Sequence, residues 1–246
     1  MRVLQTLVSV KGFRRPANNT LRLRALDALF SIAKKNDCPV LLLPMGFLFA
    51  TDEADRDLLF DRVADAARGA GVAVVGGIDV GAASKRKVTK MDVLARRLPY
   101  FGFVVAGDGQ LLGQWRQTST TSDNYDPRQA FPGDERTVPI AGTKVSVLLC
   151  GEIFNPYAAK AIGKMRPAAV FAPGHARMGM GLIPALQRIH KSTICPVLHA
   201  HHVAGTNKTH AIAANGQHVS RSIDTNWRYE PMPEGPFWYG WKVRSL

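Results

Sequence analysis

Short, almost continuous apolar segments constrain the fold of this chain most strongly. Four of them are "PVLLLP" (39–44), "VAVVGGIDV" (72–80), "VSVLLC" (145–150) and "AAVFAP" (168–173). Runs of this length and composition are typical of strands that are buried on both faces, as in a parallel sheet. We therefore expect an α/β protein whose central strands are covered on both sides.

Helical and hairpin patterns lie between these strands. Apolar residues recur with helical spacing over residues 18–36, about 52–68, about 156–165 and about 181–192. Turn sequences at Gly107-Asp108-Gly109 and at Asn215-Gly216 predict two hairpins, so the sheet should be mixed. The sequence has no recognisable repeat or linker, and we expect one domain over residues 1–246, with 226–246 as an aromatic tail.

Charge and cysteine content indicate which partners and which kinds of site the protein can have. Lys and Arg number 32 against 19 acids, giving a formal charge of +13 that favours anionic partners. Three cysteines without a C-x-x-C pair argue against a disulfide framework and against a thiolate zinc site. With no segment of membrane-spanning length, we expect a cytoplasmic protein without membrane association.

Three stretches in chain order suggest a family. They are "LLLPM" (41–45), "LLGQWRQT" (111–118) and "VLLCGEIFNP" (147–156), accompanied by "AGDGQLLG", "FPGD" and "AIAANGQHV". Together they resemble the nitrilase superfamily of carbon-nitrogen hydrolases over almost the whole chain. The resemblance implies a four-layer α-β-β-α sandwich with mixed sheets, no cofactor, and a homo-oligomer, dimeric or larger.

The resemblance also implies a catalytic site with two altered positions. Cys150 stands at the position of the family's nucleophile, but Met45 stands where the family carries Glu and Gln117 where it carries Lys. Asp126, in the loop before the cysteine, is the candidate for a substitute acid. Glu152, two residues after the cysteine, and His175 are expected to line the pocket.

The two replacements favour loss of ordinary hydrolysis. A thiol with an ordinary pKa near ~8.5 is only a few per cent ionised at neutral pH and normally needs a neighbouring base or cation. Loss of the general base alone costs on the order of 10²- to 10⁴-fold in rate. We therefore expect a nitrilase-like protein that binds a small anionic or amide ligand, or a protein partner, through the inherited pocket.

Two alternatives stay open. In the first, Cys150 is activated by a substitute acid and hydrolyses amides through a thioester. In the second, the less favoured, the basic segment 84–97 binds nucleic acid or an acidic protein. His199 and His201 share one strand face, but no third ligand has a recognisable spacing, so no metal site is predicted.

Overall fold

The computed structural model describes residues 1–9, 15–81, 89–120, 131–176, 181–203, 208–222, 225–232 and 235–246. The helices are α1 (Asn19–Lys35), α2 (Glu53–Ala70), α3 (Lys90–Leu94), α4 (Pro156–Met165) and α5 (Leu182–Thr193). The strands are β1 (Arg2–Ser9), β2 (Val40–Leu42), β3 (Leu48–Ala50), β4 (Ala73–Val80), β5 (Tyr100–Val105), β6 (Leu111–Arg116), β7 (Thr137–Ile140), β8 (Thr143–Val147), β9 (Ala169–Ala176), β10 (Val197–Val203), β11 (Lys208–Ile212), β12 (His218–Ser222), β13 (Thr225–Met232) and β14 (Gly235–Ser245). None of the helices in these ranges is long and apolar enough to cross a membrane.

Local sequence explains where the helices begin and end. The Asp52 side chain accepts a hydrogen bond from Asp55 N and caps α2, which ends at Gly71 in the left-handed conformation (φ 68°). Asn155 caps α4 by accepting from Tyr157 N, and Pro156 occupies the first turn, where its missing N–H costs nothing. The four long helices fall where the apolar spacing predicted them.

The strands form one hydrogen-bonded path in the order β6-β5-β4-β2-β1-β10-β9-β8-β7. Every neighbouring pair from β4 to β8 along this path is parallel, whereas β5, β6 and β7 are antiparallel additions. The predicted hairpins are confirmed as β5–β6 and β11–β12. In the aromatic tail, β14 pairs with β1 over seven residues, and Tyr239 is fully buried there.

Three apolar clusters divide the molecule into layers. In the first, α1 and α2 pack on β1, β2, β4 and β5, and in the third, α4 and α5 pack on β8, β9 and β10. The middle cluster joins inward-facing side chains of β2, β4 and β5 to those of β8, β9 and β10. The order is therefore helix, sheet, sheet, helix, which confirms the four-layer α-β-β-α sandwich.

Strand alternation decides which side chains reach the middle layer. In β4, Ala73 and Val75 lie in the middle cluster, whereas Val74 and Ile78 face the helices. Asp79 has the same parity as Ala73 and Val75, so the strand directs a carboxylate into the interior of the sandwich. Parallel strands bring their carboxyl ends to one edge of the sheet. At that edge the Asp79 carboxylate can meet residues at the ends of β8 and β9.

Candidate active site

Cys150 lies at the end of the segment that continues β8. It opens a short 3₁₀ turn (Cys150–Phe154) and has φ 43°, in the left-handed region that side chains with a Cβ rarely adopt. The residue is 6% exposed, in the middle cluster. A strained nucleophile between a strand and a helical turn is typical of a functional site, because the surrounding structure must hold the strain.

The thiol of Cys150 contacts an imidazole, and that imidazole contacts a carboxylate. The distance from His175 Nδ1 to Cys150 Sγ is 3.0 Å, and His175 Nε2 lies 2.8 Å from Asp79 Oδ1. All three side chains are buried. A nucleophile, a base within hydrogen-bond reach and a third group that orients the base form the geometry of a catalytic triad.

Each member of this triad comes from a different strand end. Asp79 is the second-last residue of β4, His175 the second-last residue of β9, and Cys150 follows β8. β4 belongs to one sheet layer and β9 to the other, so the Asp79–His175 contact spans the middle of the sandwich. The triad therefore depends on the tertiary fold and has no local sequence signature.

Electrostatics favour a protonated imidazole. Burial opposes the charged form of His175, but the carboxylate of Asp79 and the sulfur of Cys150 raise its pKa to about 10. The Tyr100 ring packs edge-on against the imidazole at a centroid distance of 4.6 Å and covers one of its faces. Near neutral pH the ring is therefore an imidazolium, which can donate hydrogen bonds to the sulfur and to the carboxylate at once.

Met45, which the sequence resemblance aligns with the family glutamate, has an apolar side chain. It is fully buried in the same cluster as Cys150, and its main-chain N donates to Gly174 O at 3.2 Å. A Cβ on Gly77 would come within 2.4 Å of the Met45 sulfur, so the thioether fills the space above that glycine. Met45 therefore contributes packing and brings no charge.

Gln117, which the sequence resemblance aligns with the family lysine, is 3% exposed. Its Nε2 donates to Ser119 O at 2.5 Å, and its Oε1 has no hydrogen-bond partner among the described residues. The neighbouring Arg116 points the other way, as strand alternation predicts, and its guanidinium lies 3.0 Å from Glu53 Oε1. The strand that carries the family's cation thus supplies an amide here.

Glu152 lies beneath the nucleophile turn and is fully buried. Its Oε1 accepts from Thr118 N, Thr118 Oγ1 and Arg136 Nη2 at 2.8 to 2.9 Å, and its Oε2 accepts from Leu149 N at 2.8 Å. These bonds tie the turn that carries Cys150 to the segment after β6. We expected Glu152 to line the pocket, but its oxygens are engaged in holding the site together.

Close packing at Gly151 reinforces this connection. A Cβ at this position would lie 2.3 to 2.4 Å from backbone atoms of Thr120, which is far closer than real Cβ contacts. Only glycine can follow the nucleophile at this approach of two backbones.

Two of the three histidines of β10 bond to main-chain carbonyls, and the ring of the third, His201, stacks on His199 at a centroid distance of 5.0 Å. His199 Nδ1 lies 2.7 Å from Ala172 O, so it must carry the proton, and burial lowers the pKa of His199 to about 4. His202 Nδ1 lies 2.9 Å from His175 O. Within the ranges that the structure describes, no three His, Cys, Asp or Glu side chains are placed to hold a metal ion.

The acid that contacts His175 is not the one that sequence reasoning selected. Asp126, the predicted substitute, lies outside the described residues, and Asp134 and Glu135 are exposed before β7. No motif of the sequence points to Asp79. The sequence contains one signal for it. Asp79 is the single charged residue in the otherwise apolar segment 72–80, and strand alternation places it on the same face as Ala73 and Val75, which point inward.

Comparisons with known proteins show which solved structures share this fold. No family model matches the sequence, and no curated protein matches it at a significant level. Among solved structures, the chain is similar to an amidase from Nesterenkonia sp. AN1, seen as a glutamate-to-glutamine mutant after Michael addition of acrylamide at its active-site cysteine. That likeness has 15% identity and a TM-score of 0.67, covering 98% of this chain and 92% of the other.

Two further structures of that amidase are similar to this chain to the same degree. A cysteine-to-serine mutant, described as an amidase from the nitrilase superfamily, gives a TM-score of 0.67, and a glutamate-to-leucine mutant carrying the acetamide moiety of fluoroacetamide at the cysteine gives 0.66. Both are 15% identical to this chain, and each comparison covers 98% of this chain and 90% of the other. The chain therefore has the fold of the nitrilase superfamily.

Proposed function

We propose that the protein is a cysteine-dependent amide hydrolase with Cys150 as the nucleophile. In this proposal His175 and Asp79 activate the thiol in place of the family's Glu and Lys. One observation carries the proposal: the His175 ring lies 3.0 Å from the thiol and 2.8 Å from a buried carboxylate. This geometry favours the working hydrolase over the ligand-binding protein without activity that the loss of Glu and Lys suggested. The activating groups are a histidine and an aspartate from other strands.

The reaction begins with the thiolate–imidazolium pair. Cys150 Sγ attacks the carbonyl carbon of the amide and forms a C–S bond, and the carbonyl π electrons move to oxygen. As the tetrahedral intermediate collapses, the C–N bond breaks and the imidazolium of His175 gives its proton to the leaving nitrogen. The products of this half are an amine and a thioester on Cys150.

Water completes the cycle. In the thioester the sulfur no longer carries charge, so one of the two groups that raise the pKa of His175 is lost and the neutral imidazole becomes a base. It takes a proton from water while the oxygen attacks the thioester carbon. The C–S bond then breaks, which releases a carboxylic acid and restores the thiolate.

Structures of the similar amidase support a reactive cysteine without a glutamate partner. Its glutamate-to-glutamine and glutamate-to-leucine mutants carry covalent additions at the active-site cysteine. A thiol in this fold therefore reacts with small electrophiles after a glutamate has been removed. Here Met45 takes the position of the family glutamate.

The substrate class that we propose is a small amide with an anionic group, which the formal charge of +13 favours. Gln117 lines a pocket of about 280 Å³ together with Arg96, Arg116 and Arg136, and Cys150, His175 and Asp79 are not part of its wall. Gln117 Oε1, which has no hydrogen-bond partner among the described residues, is an acceptor of the kind that an amide N–H requires. As further proposals, the chain is a single domain that assembles into a homodimer or larger oligomer, and three unpaired cysteines favour the reducing cytoplasm.

Replacing Asp79 with asparagine tests the proposal. The variant keeps the shape of the side chain but removes the charge that raises the pKa of His175, so the imidazolium form should be lost at lower pH. We expect the Cys150 alkylation rate near pH 6 to fall by about tenfold, with a smaller difference above pH ~8.5, where free thiols ionise unaided. The rate is measured with iodoacetamide and peptide mass spectrometry.

Asp55→Asn is the matched control, because Asp55 also accepts hydrogen bonds but lies at the exposed start of α2. It should leave the Cys150 alkylation profile unchanged. An Asp79→Asn variant that is folded and reacts like the wild type at every pH would refute the assignment of Asp79.

A further inference from the structure

Behind the triad, a buried residue that the reaction does not use contacts the main chain of His175, and a second buried residue contacts the first. Arg22 on α1 is 2% exposed and His202 on β10 is 1% exposed. Arg22 Nη1 lies 3.1 Å from His202 Nε2, and His202 Nδ1 lies 2.9 Å from His175 O. Three elements from different parts of the chain therefore meet in one line of hydrogen bonds.

The chemistry of the partners fixes the direction of each bond. A guanidinium can only donate, so His202 Nε2 must be the acceptor, and the proton of the neutral ring resides on Nδ1. Nδ1–H then donates to the carbonyl oxygen of His175, which can only accept. Burial and the charges of Arg22 and His175 hold the pKa of His202 well below its usual value, consistent with this neutral form.

The carbonyl that receives this bond lies in an irregular part of the sheet. Between β9 and β10, Ala200 pairs with Pro173 and His202 pairs with Ala176, so three steps along β9 face two along β10. Such a bulge re-aims side chains but leaves part of the ladder without its regular bonds. The His202 side chain supplies a bond to the bulged segment where His175 must be held.

Arg22 is itself fixed in place as a cation. Burial lowers the pKa of Arg22 to about 10, against the opposing effect of the Asp79 charge, so the guanidinium stays cationic near neutral pH. Its Nη1 additionally donates to Phe47 O at 3.0 Å, which fixes the position of the cation. The donor that contacts His202 Nε2 therefore has a defined position and keeps its protons.

We propose that Arg22 and His202 are positioning residues, which hold the main chain of His175 so that its ring contacts Cys150 and Asp79 at the same time. This inference rests on the proposed function, because it assigns a role only if His175 activates the thiol. Among the described residues, the groups that face His175 include Asp79 from β4, Cys150 from the 3₁₀ turn, Tyr100 from β5 and His202 from β10.

Replacing His202 with phenylalanine tests the inference. Phenylalanine keeps a ring in the buried site but removes both hydrogen bonds, so the imidazole of His175 should lose its alignment. We expect the alkylation rate of Cys150 by iodoacetamide near pH 6 to fall by about tenfold, because small misplacements of catalytic groups cost on this order or more. The pH below which the alkylation rate declines should be higher than in the wild type. His202→Asn, which can still donate to His175 O, should react faster than His202→Phe.

His199→Phe is the matched control, because His199 is equally buried on the same strand and also donates to a carbonyl of β9, Ala172 O. It should leave the rate profile unchanged. A folded His202→Phe protein with the wild-type profile would overturn the inference. If His202→Phe does not fold, Arg22→Lys is the variant to measure, because it keeps the charge but changes the geometry of the donor. An unchanged dependence of the alkylation rate on pH would overturn the inference. A rate that falls off at a higher pH than in the wild type would support it.

The same experiment separates this inference from the proposed function. If His175→Ala leaves the alkylation of Cys150 unchanged, the triad itself is refuted. If His175→Ala slows the reaction but His202→Phe does not, the triad stands and only the positioning role is lost.

Discussion

Replacing His175 with alanine is expected to lower the alkylation rate of Cys150 near pH 6 by about ten- to a hundredfold. Without the imidazole, an ordinary thiol is less than about 1% ionised at this pH. The loss in rate is smaller than the loss in thiolate, because a thiolate of higher basicity is also the better nucleophile. Hydrolysis of an amide should fall further, by about 10²- to 10⁴-fold, because His175 also protonates the leaving nitrogen.

The protein contains its own reference thiols for this measurement. Cys195 is 5% exposed and Cys38 is 1% exposed, compared with 6% for Cys150, and burial raises the pKa of both reference thiols. In the wild type, Cys150 should therefore be labelled first by a wide margin. Equal labelling of Cys150 and Cys195, unchanged in His175→Ala, would contradict the assignment of His175.

Replacing Glu152 with alanine is expected to lower the free energy of unfolding by about 3 to 5 kcal/mol. Glu152 and Arg136 form an ion pair at 2.8 Å with both side chains at most 1% exposed, so the variant leaves a buried guanidinium without its counter-charge. Three hydrogen bonds that connect Thr118 and Leu149 to the nucleophile turn are lost as well. Chemical denaturation with urea measures the difference.

Asp65→Ala is the control for this stability prediction. The Asp65–Arg68 ion pair is just as short, at 2.7 Å, but its side chains are 73% and 59% exposed. Exposed pairs contribute about 0 to 1 kcal/mol, so the control should be close to wild type. A Glu152→Ala protein as stable as Asp65→Ala would mean that the network beneath Cys150 does not hold the site.

Much of the fold could be predicted from the sequence because local patterns carry it. The apolar runs that form β2, β4, β8 and β9 and the apolar spacing of the long helices each reflect burial within a few residues of chain. The resemblance, which rested on short motifs in a fixed order, then supplied the layer arrangement. Strands β2 and β3 are both three residues long, but the apolar run of β2 is bounded by Pro39 and Pro44, whereas no such boundary marks Leu48–Ala50. The strand β3 could therefore not be predicted.

The partners of Cys150 could not be predicted in the same way. Sequence motifs place Met45 and Gln117 at the family's positions, and their uncharged side chains indicate what the site lacks. The replacement groups come from β4 and β9, which lie 96 residues apart in sequence at Asp79 and His175. Only the packing of two sheet layers brings them together, and strand alternation alone could not have paired them.

The dependence of Cys150 reactivity on its two partners tests the central claim most directly. Alkylation of Cys150 by iodoacetamide near pH 6 is followed by peptide mass spectrometry in the wild type, His175→Ala and Asp79→Asn side by side. We predict that the wild type reacts fastest, because the imidazole and the carboxylate behind it activate the thiol. Equal alkylation rates in the three folded proteins would contradict the account.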